Sequence, residues 1–279
     1  MAGPTAVGKT SFSIALAKGL QTEILSADSR QFYRETVIGT AAPTAEEMNG
    51  VVHHFVGHLS IHDYYNVSMY EQEAISVLNK LFTKNHYAIL TGGSGLYLDS
   101  VCEGIDDLPD IDTALRERLK QQLENEGIES LLNQLLLLDQ AYYHTVDKKN
   151  PNRILRALEV CLQTNQTYTS LRTQSQKQRG FDTVKICLTL PRKLLCERIN
   201  QRTDTMMTNG FLQEAEFLLP YRHLNALNTV GYKELFDYLE GKTSLDFAIE
   251  KIKTNTRRYA KRQMTWFKGK GDYFFLNHA

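Results

Sequence analysis

The sequence predicts an α/β protein in which a mostly parallel sheet carries an all-helical insertion. Short apolar runs alternate with longer helical patterns at both ends of the 279-residue chain, which is typical of consecutive βα units. Between residues 106 and 180 the pattern changes to helices alone. We therefore expect an α/β core of residues 1–106 and 181–279, and a helical insertion domain of residues 107–180.

The individual elements follow from apolar periodicity and from turn residues. Helices are predicted at 113–125, 130–138 and 151–165, the last because Pro151 suits a first helical position. Strands are predicted at five apolar runs, namely 22–27, 54–59, 87–91, 184–190 and 273–276.

Composition excludes several classes of protein. Hydrophobic residues make up 42% and charged residues 23%, unlike disordered or fibrous chains. No apolar run is long enough to span a membrane, and no secretory signal precedes the first motif. The four cysteines form no C-x-x-C pair, which argues against structural zinc and disulfides. We expect a soluble cytoplasmic protein, acting as a monomer.

A phosphate-binding motif opens the chain. The pattern G-x-x-x-x-G-K-[ST] is followed by an apolar-periodic helix through Leu20, and this combination predicts a P-loop on a P-loop NTPase-like core. Backbone N–H groups of such a loop surround phosphate oxygens, the lysine adds a positive charge, and the final hydroxyl is placed to bind Mg²⁺. The predicted phosphate-binding residues are Gly3, Pro4, Thr5, Ala6, Val7, Gly8, Lys9 and Thr10, with Thr10 as the metal ligand.

A P-loop normally follows a strand, yet only Met1 and Ala2 precede Gly3. We therefore expect the sheet to lack its central first strand, and the loop to be held less firmly.

Two further motifs follow predicted strands. Asp28 comes directly after the run at 22–27, and Ser94 lies in the Gly-rich segment that follows the run at 87–91. Ligands of open α/β sheets bind at the carboxyl ends of the strands. A phosphate cradle, a carboxylate and a hydroxyl should therefore meet at one edge of the sheet.

Together these motifs resemble a known family. Eight motifs occur here in the order found in tRNA dimethylallyltransferases: G-P-T-A-x-G-K-T, D-S-x-Q-x-Y, I-G-T-A, G-G-[ST]-G-L-Y, N-P-x-R-I-x-R-A-L-E-V, R-x-D-x-M-x-x-x-G, G-Y-K-E and R-x-Y-A-K-R-Q-x-T-W-F. The resemblance extends from Gly3 to Phe267. It implies transfer of a five-carbon allyl group from dimethylallyl diphosphate to N6 of adenosine 37, beside the tRNA anticodon.

The resemblance also implies roles for particular residues. Asp28 would be the general base that takes the proton of the adenine amine. Arg202 would bind the diphosphate leaving group together with Mg²⁺ and the P-loop. Ser94 stands where the family usually has threonine and keeps the hydroxyl that could contact the leaving oxygen or the target nucleotide.

The target base lies inside the folded anticodon arm and must be extruded from it. The resemblance implies that the flipped base and its neighbours contact Asp28, Ser29, Arg30, Gln31 and Ser94. In the insertion it implies tRNA contacts from Arg116 and from the segment Asn152, Arg153, Ile154, Leu155 and Arg156. The alternative is that these arginines form ion pairs with Glu159 or other nearby acids.

A basic segment near the C-terminus is a third candidate for RNA contact. Residues 251–270 contain eight basic residues and no acid. Arg257, Arg258, Lys261 and Arg262 recur at helical spacing, which predicts either a solvated helix face or a surface for RNA or diphosphate. The match to the family motif favours the second.

Two observations limit the assignment. Ala42 replaces a lysine that the family commonly carries before Pro43, which removes a charge near the expected site. The histidines His53, His54, His58 and His62 fall around a predicted strand, where neighbours face opposite sides, so a metal site is not favoured there.

Three other functions remain open from the sequence. An adenylate isopentenyltransferase would share the P-loop and the base, but it would not need the arginines of the helical insertion. A small-molecule kinase would use Lys9 and Thr10 for ATP and Mg²⁺, and Asp28 to deprotonate an alcohol. A non-catalytic RNA-binding protein could keep the same fold.

Overall fold

The computed structural model describes residues 1–110, 112–173 and 176–278. The chain divides into two compact units, one of residues 1–102 and 179–279 and one of residues 103–178. Each boundary lies a few residues before the one expected from the sequence. The first unit contains the strands and is called the core unit; the second is helical and is called the helical unit.

The strands of the core unit all pair in parallel, which confirms the predicted α/β class. Those in the described part of the chain are β1 (Ile24–Ser26), β2 (His53–His54), β3 (Ile89–Thr91), β4 (Ile186–Thr189) and β5 (Phe274–Asn277). Hydrogen bonding orders them as β2-β1-β3 and as β4-β5.

Met1 and Ala2 connect these two groups of strands. Ala2 forms parallel bridges to Gly92 on one side and Cys187 on the other, with Ala2 N–H donating to the Ile186 carbonyl at 2.7 Å. The expectation that the central strand would be missing is therefore only partly right. Two residues take its place and carry the chain into the P-loop.

Helices surround this sheet. In the core unit they are α1 (Lys9–Leu20), α2 (Val37–Thr40), α3 (Ala45–Met48), α4 (Val67–Phe82), α5 (Gly95–Cys102), α11 (Arg192–Thr208), α12 (Phe211–Leu218), α13 (Tyr232–Leu239) and α14 (Leu245–Lys270). Large buried side chains, among them Phe32, Tyr70, Phe211 and Phe267, form its main apolar cluster. No helix in the described residues has both the length and the apolar character that a membrane span requires.

The helical unit has its own apolar core. Its helices are α6 (Thr113–Glu126), α7 (Ile128–Leu138), α8 (Gln140–Thr145), α9 (Pro151–Thr164) and α10 (Tyr168–Leu171). Leu131, Leu135 and Leu158 are fully buried in it. The predicted start of α9 is confirmed: Pro151 is the first residue of the helix, and the Asn150 side chain accepts from Arg153 N–H at 3.3 Å.

One predicted strand is much shorter than expected. The apolar run at 54–59 predicts six extended residues, but β2 ends at His54. Phe55 and Gly57 take left-handed backbone angles, with φ of 63° and 59°, and turn the chain away from the sheet. Leu59 then bridges to Tyr33. Extended pairing stops where these two residues reverse the sign of φ.

Candidate active site

The P-loop leads directly from Ala2 into α1. Gly8 has a φ of 101°, a left-handed value that glycine adopts without strain, and the chain enters the helix at Lys9. The Lys9 ammonium donates to the carbonyls of Gly3 and Pro4, at 2.9 Å each. Burial lowers the pKa of Lys9 to about 8, and the nearby Asp28 carboxylate opposes this shift. The lysine is therefore folded back over the loop.

Asp28 lies just beyond the carboxyl end of β1, as the motif predicts. Its carboxylate is half-buried, and Oδ1 accepts a hydrogen bond from Arg30 N–H at 3.2 Å. The backbone carbonyl of Asp28 accepts from Gln31 N–H at 3.0 Å. This tight turn fixes the direction of the side chain, and among the described residues Oδ2 has no hydrogen-bond partner.

Ser94, beyond the end of β3, reaches the same loop. Its Oγ accepts from Ser29 N–H at 3.1 Å and lies 3.2 Å from Ser29 Oγ. Tyr259 lies near Ser94 and Asp28, and burial raises the pKa of Tyr259 to about 12. The structure thus joins the loops that follow β1 and β3 through hydroxyl groups.

Arg202 extends from α11 to the P-loop. Its Nη1 donates to Thr5 Oγ1 and its Nη2 donates to the Thr40 carbonyl, both at 3.2 Å. Burial lowers the pKa of Arg202, and the charge of Asp28 opposes that shift. The guanidinium therefore lies near Asp28 and Lys9, although about 190 residues of chain separate it from the loop.

Asp28 and Arg202 stand where two cavities meet. The smaller cavity, of about 90 Å³, is lined by P-loop residues together with Asp28, Thr91 and Arg202. The larger cavity, of about 450 Å³, combines apolar and polar walls, with Ile199, Met206, Ile252, Asn255, Tyr259 and Arg262 among its lining residues. Both are lined by Thr5, Asp28 and Arg202. A ligand in one cavity can therefore touch a ligand in the other beside the carboxylate.

The loop residues Arg30 and Gln31 hold this site together from one side. Arg30 Nη1 donates to the Asn225 carbonyl at 2.8 Å, and Gln31 Nε2 donates to the Ala41 carbonyl at 3.0 Å. Both side chains remain partly exposed. Their visible role is to fix the loop that carries Asp28.

Two supporting residues could not be assigned from the sequence. The first is Glu214, whose carboxylate accepts from the N–H groups of Ile38 and Gly39 at 2.8 Å each. Tyr232 donates its hydroxyl to the same carboxylate at 2.5 Å. Glu214 therefore fixes the short helix α2, which presents the Thr40 carbonyl to Arg202.

The second is Gln263, on the basic helix α14. Its Oε1 accepts from Thr5 N–H and its Nε2 donates to the Gly93 carbonyl, both at 2.9 Å. A Cβ at Gly93 would lie 2.2 Å from Nε2, so only glycine allows this approach. One amide thus ties the P-loop to the Gly-rich segment. The family motif contains this glutamine, but no local pattern indicates its partners.

The basic residues of α14 divide into two groups. Arg257 donates to Asn200 Oδ1 at 2.6 Å and so packs against α11. Arg258 and Lys261 are exposed, as is Arg262, which also lines the larger cavity. The helix therefore uses part of its charge for packing and presents the rest to solvent.

In the helical unit, two of the predicted arginines pair with one buried acid. Glu159 is fully buried; its Oε1 lies 3.1 Å from Arg116 Nη1, and its Oε2 lies 3.6 Å from Arg156 Nη1. Burial raises the pKa of Glu159, and both arginines oppose the shift. Arg156 Nη2 also donates to the Pro109 carbonyl at 2.8 Å. Arg153 is exposed instead.

The neighbours of Arg153 separate by helix face. Ile154 and Leu155 are buried in the apolar core of the helical unit, so their side chains serve packing. Asn152 is exposed beside Arg153. Polar side chains on this turn therefore face outward, and the apolar ones face inward.

Comparison with known proteins gives one consistent family. The family model described as IPP transferase matches residues 31–270. The chain is 54% identical over 266 residues to a tRNA dimethylallyltransferase 1 of Bacteroides thetaiotaomicron, covering 95% of this chain and 86% of that protein. It is 50% identical to a tRNA dimethylallyltransferase of Christiangramia forsetii, covering 95% and 88%.

Solved structures agree with these relatives. The full-length tRNA isopentenylpyrophosphate transferase from Bacillus halodurans is 36% identical, with a TM-score of 0.72, covering 99% of this chain and 88% of that one. A eukaryotic dimethylallyltransferase acting on tRNA is 27% identical, with a TM-score of 0.80, covering 99% and 72%.

Proposed function

The chain belongs to the IPP transferase family, and on this premise we infer that it transfers a dimethylallyl group from dimethylallyl diphosphate to N6 of adenosine 37 in tRNA. The products are N6-isopentenyladenosine and diphosphate. The observation that carries the mechanism is the junction of two cavities at Asp28 and Arg202. It allows an anionic donor and a nucleobase to meet beside one carboxylate.

The smaller cavity is proposed to hold the diphosphate. Its walls bring together Lys9, Arg202 and the amides at the start of α1, all of which favour negative charge. The Lys9 ammonium is already held by the Gly3 and Pro4 carbonyls, and the Arg202 guanidinium by Thr5. Fixed cationic groups need little rearrangement when charge develops on the leaving oxygen.

The same cavity suits a magnesium ion. Thr10 presents an exposed hydroxyl, and Thr91 Oγ1 is buried without a hydrogen-bond partner among the described residues. Mg²⁺ prefers oxygen ligands and commonly combines a few protein groups with phosphate oxygens and water. We propose that Thr10 binds it; the ion would neutralise charge on the diphosphate.

Asp28 is proposed as the general base. The N6 lone pair attacks C1 of the allyl group, the bond from C1 to the diphosphate oxygen breaks, and Asp28 takes the proton that N6 loses. The bonding electrons leave with the diphosphate beside Arg202. Ser94 lies one hydrogen bond from Ser29, next to Asp28, where its hydroxyl can contact the nucleotide or the leaving oxygen.

The larger cavity is proposed to receive the adenine and the allyl chain. Its volume of about 450 Å³ falls within the range of small-molecule sites. Ile199, Met206 and Ile252 give it an apolar wall suited to a five-carbon chain. Because water is kept from such a wall, the reactive allyl carbon is protected from hydrolysis.

The helical unit is proposed to contact the anticodon arm. Asn152 and Arg153 are exposed on one turn of α9, and Arg116 and Arg156 are partly exposed beside Glu159. Charge-assisted bonds from such arginines to phosphates position an RNA without reading its sequence. On the core unit, Ser29, Arg30 and Gln31 are proposed to contact the extruded base and its neighbours.

We also propose that the protein acts as a monomer in the cytoplasm, where tRNA is modified. The P-loop, Asp28 and Arg202, which line the two cavities, and Ser94, which bonds Ser29, all come from one chain. Light scattering after size exclusion, with and without tRNA, checks the oligomeric state. A dimer as the only active species would contradict it.

The function is tested by mass spectrometry of an unmodified tRNA transcript incubated with the protein, Mg²⁺ and dimethylallyl diphosphate. We expect adenosine 37 to gain the mass of one isopentenyl group. Parallel reactions offer AMP or ATP as acceptor, and labelled ATP as phosphoryl donor. Prenylation of free nucleotides but not of tRNA, or phosphoryl transfer without prenylation, would overturn the proposal.

A further inference from the structure

Trp266 is an aromatic side chain that the proposed mechanism does not use. It lies on α14, where its neighbours Gln263 and Phe267 are buried, yet its indole is 40% exposed. The indole Nε1–H donates to Asp99 Oδ2 at 3.0 Å. Since its polar atom is already bonded within the protein, the exposed part of the ring is apolar surface held in one place.

The backbone of Gly95 packs closely against the indole ring. A Cβ at Gly95 would lie 2.3 Å from the indole Cδ1 and Nε1, so any larger residue would displace Trp266. Asp99 is contacted a second time, by Lys270 Nζ at 3.1 Å. The indole is therefore fixed before any ligand arrives, which limits the entropy lost on binding.

Trp266 also lies close to the catalytic loop. Gly95, against which it packs, directly follows Ser94, whose hydroxyl bonds Ser29, the neighbour of Asp28. Ligands held at Asp28 and at Trp266 would therefore be separated by little more than this one turn.

Trp266 shares one helix face with two further groups. Tyr259, Arg262 and Trp266 are spaced i, i+3 and i+7 on α14, and the Arg262 guanidinium lies 5.7 Å from the Tyr259 ring centroid. Both Tyr259 and Arg262 line the larger cavity. This stripe of aromatic and cationic side chains continues from the cavity to the exposed indole.

The charge around the stripe favours an anionic partner. Residues 251–270 carry eight bases and no acid, and Lys261, Arg262 and Lys268 are exposed. Aromatic rings interleaved with basic side chains are typical of surfaces that bind single-stranded nucleic acid, where bases stack on the rings and the backbone meets the cations. An uncharged apolar partner would gain nothing from these lysines and arginines.

We propose that Trp266 is a stacking site for an unpaired base of the anticodon loop, next to the adenosine that enters the larger cavity. This inference rests on the proposed function and identifies a second contact of the same substrate. Extruding the target base leaves its neighbours unstacked. A fixed indole next to the larger cavity offsets part of the stacking energy that is lost.

The chain offers a direct readout, since Trp266 is its single tryptophan. Fluorescence excited selectively at tryptophan is recorded while an anticodon stem-loop RNA is added. We expect quenching by this RNA, and weaker quenching by the same RNA with an abasic nucleotide beside position 37. Quenching by dimethylallyl diphosphate alone, with none from RNA, would assign the ring to the donor and overturn the inference.

Variants separate stacking from packing. Trp266→Ala should weaken RNA binding about tenfold and leave the KM for dimethylallyl diphosphate unchanged, whereas Trp266→Phe should keep most of the RNA affinity. Phe247→Ala is the matched control, because Phe247 is an exposed ring on the same helix. Unchanged RNA affinity in Trp266→Ala would refute the stacking site, while prenylation of tRNA by the wild type would still support the proposed function. A wild type that neither binds nor prenylates tRNA would overturn both.

Discussion

Replacing Gln263 by leucine should loosen the P-loop without removing any group that touches substrate. Gln263 is 5% exposed and makes two hydrogen bonds of 2.9 Å, one from Thr5 N–H and one to the Gly93 carbonyl. Leucine fills a similar volume but leaves both backbone groups without their partner. Each unsatisfied buried group costs on the order of 1–3 kcal/mol, so we expect a loss of about 3 kcal/mol in the free energy of unfolding of the core unit.

The functional consequence should appear in the donor site. Because Thr5 also accepts from Arg202, a loosened Thr5 shifts the guanidinium, and the KM for dimethylallyl diphosphate should rise about tenfold. Urea unfolding and steady-state kinetics measure the two effects. Gln263→Glu is the informative companion, since its carboxylate can still accept from Thr5 N–H but cannot donate to Gly93. Wild-type stability and donor KM in Gln263→Leu would refute this reasoning.

Three further predictions concern groups around the same cavity. Burial lowers the pKa of Lys9 to about 8, and only the protonated amine attracts diphosphate. Donor affinity measured by calorimetry should therefore fall about tenfold by about pH 9, with proton uptake on binding. Lys9→Met should abolish this pH dependence, and a flat wild-type profile would contradict the prediction. Glu214→Gln should lower the free energy of unfolding in urea by about 2 kcal/mol and raise the donor KM, because one amide oxygen cannot hold the N–H groups of both Ile38 and Gly39. Unchanged values would show that α2 needs no such support. Arg202→Lys should lower kcat about a hundredfold and leave tRNA affinity intact, since a single ammonium cannot replace the forked guanidinium. A loss confined to tRNA binding would place Arg202 elsewhere in the mechanism.

Residues that follow strands were predictable because local patterns specify them. The P-loop carries its own motif, and Asp28 and Ser94 each come after an apolar run. Parallel pairing delivers all three to one edge of the sheet. Family resemblance, rather than any local pattern, singled out Arg202. Its placement beside Thr5 depends on how α11 packs, which no spacing in the sequence encodes.

The supporting groups were not predictable for the same physical reason. Glu214 accepts from backbone N–H groups more than 170 residues away in sequence, and Gln263 joins two distant loops. Nothing distinguishes either residue locally from other polar residues on helices. The ion pair of Arg156 and Glu159 follows helical spacing, whereas the partner of Arg116 depends on the packing of α6 against α9.

The most direct test of the account is the single-turnover rate of Asp28→Asn with tRNA and dimethylallyl diphosphate both saturating. Asparagine keeps the size and the acceptor oxygen that meets Arg30 N–H, but it cannot take a proton from N6. We predict a rate lower by about 10²–10⁴, with affinities for both substrates within about twofold of wild type. An unchanged rate, or a loss explained wholly by weaker binding, would contradict the assignment of Asp28 as the base.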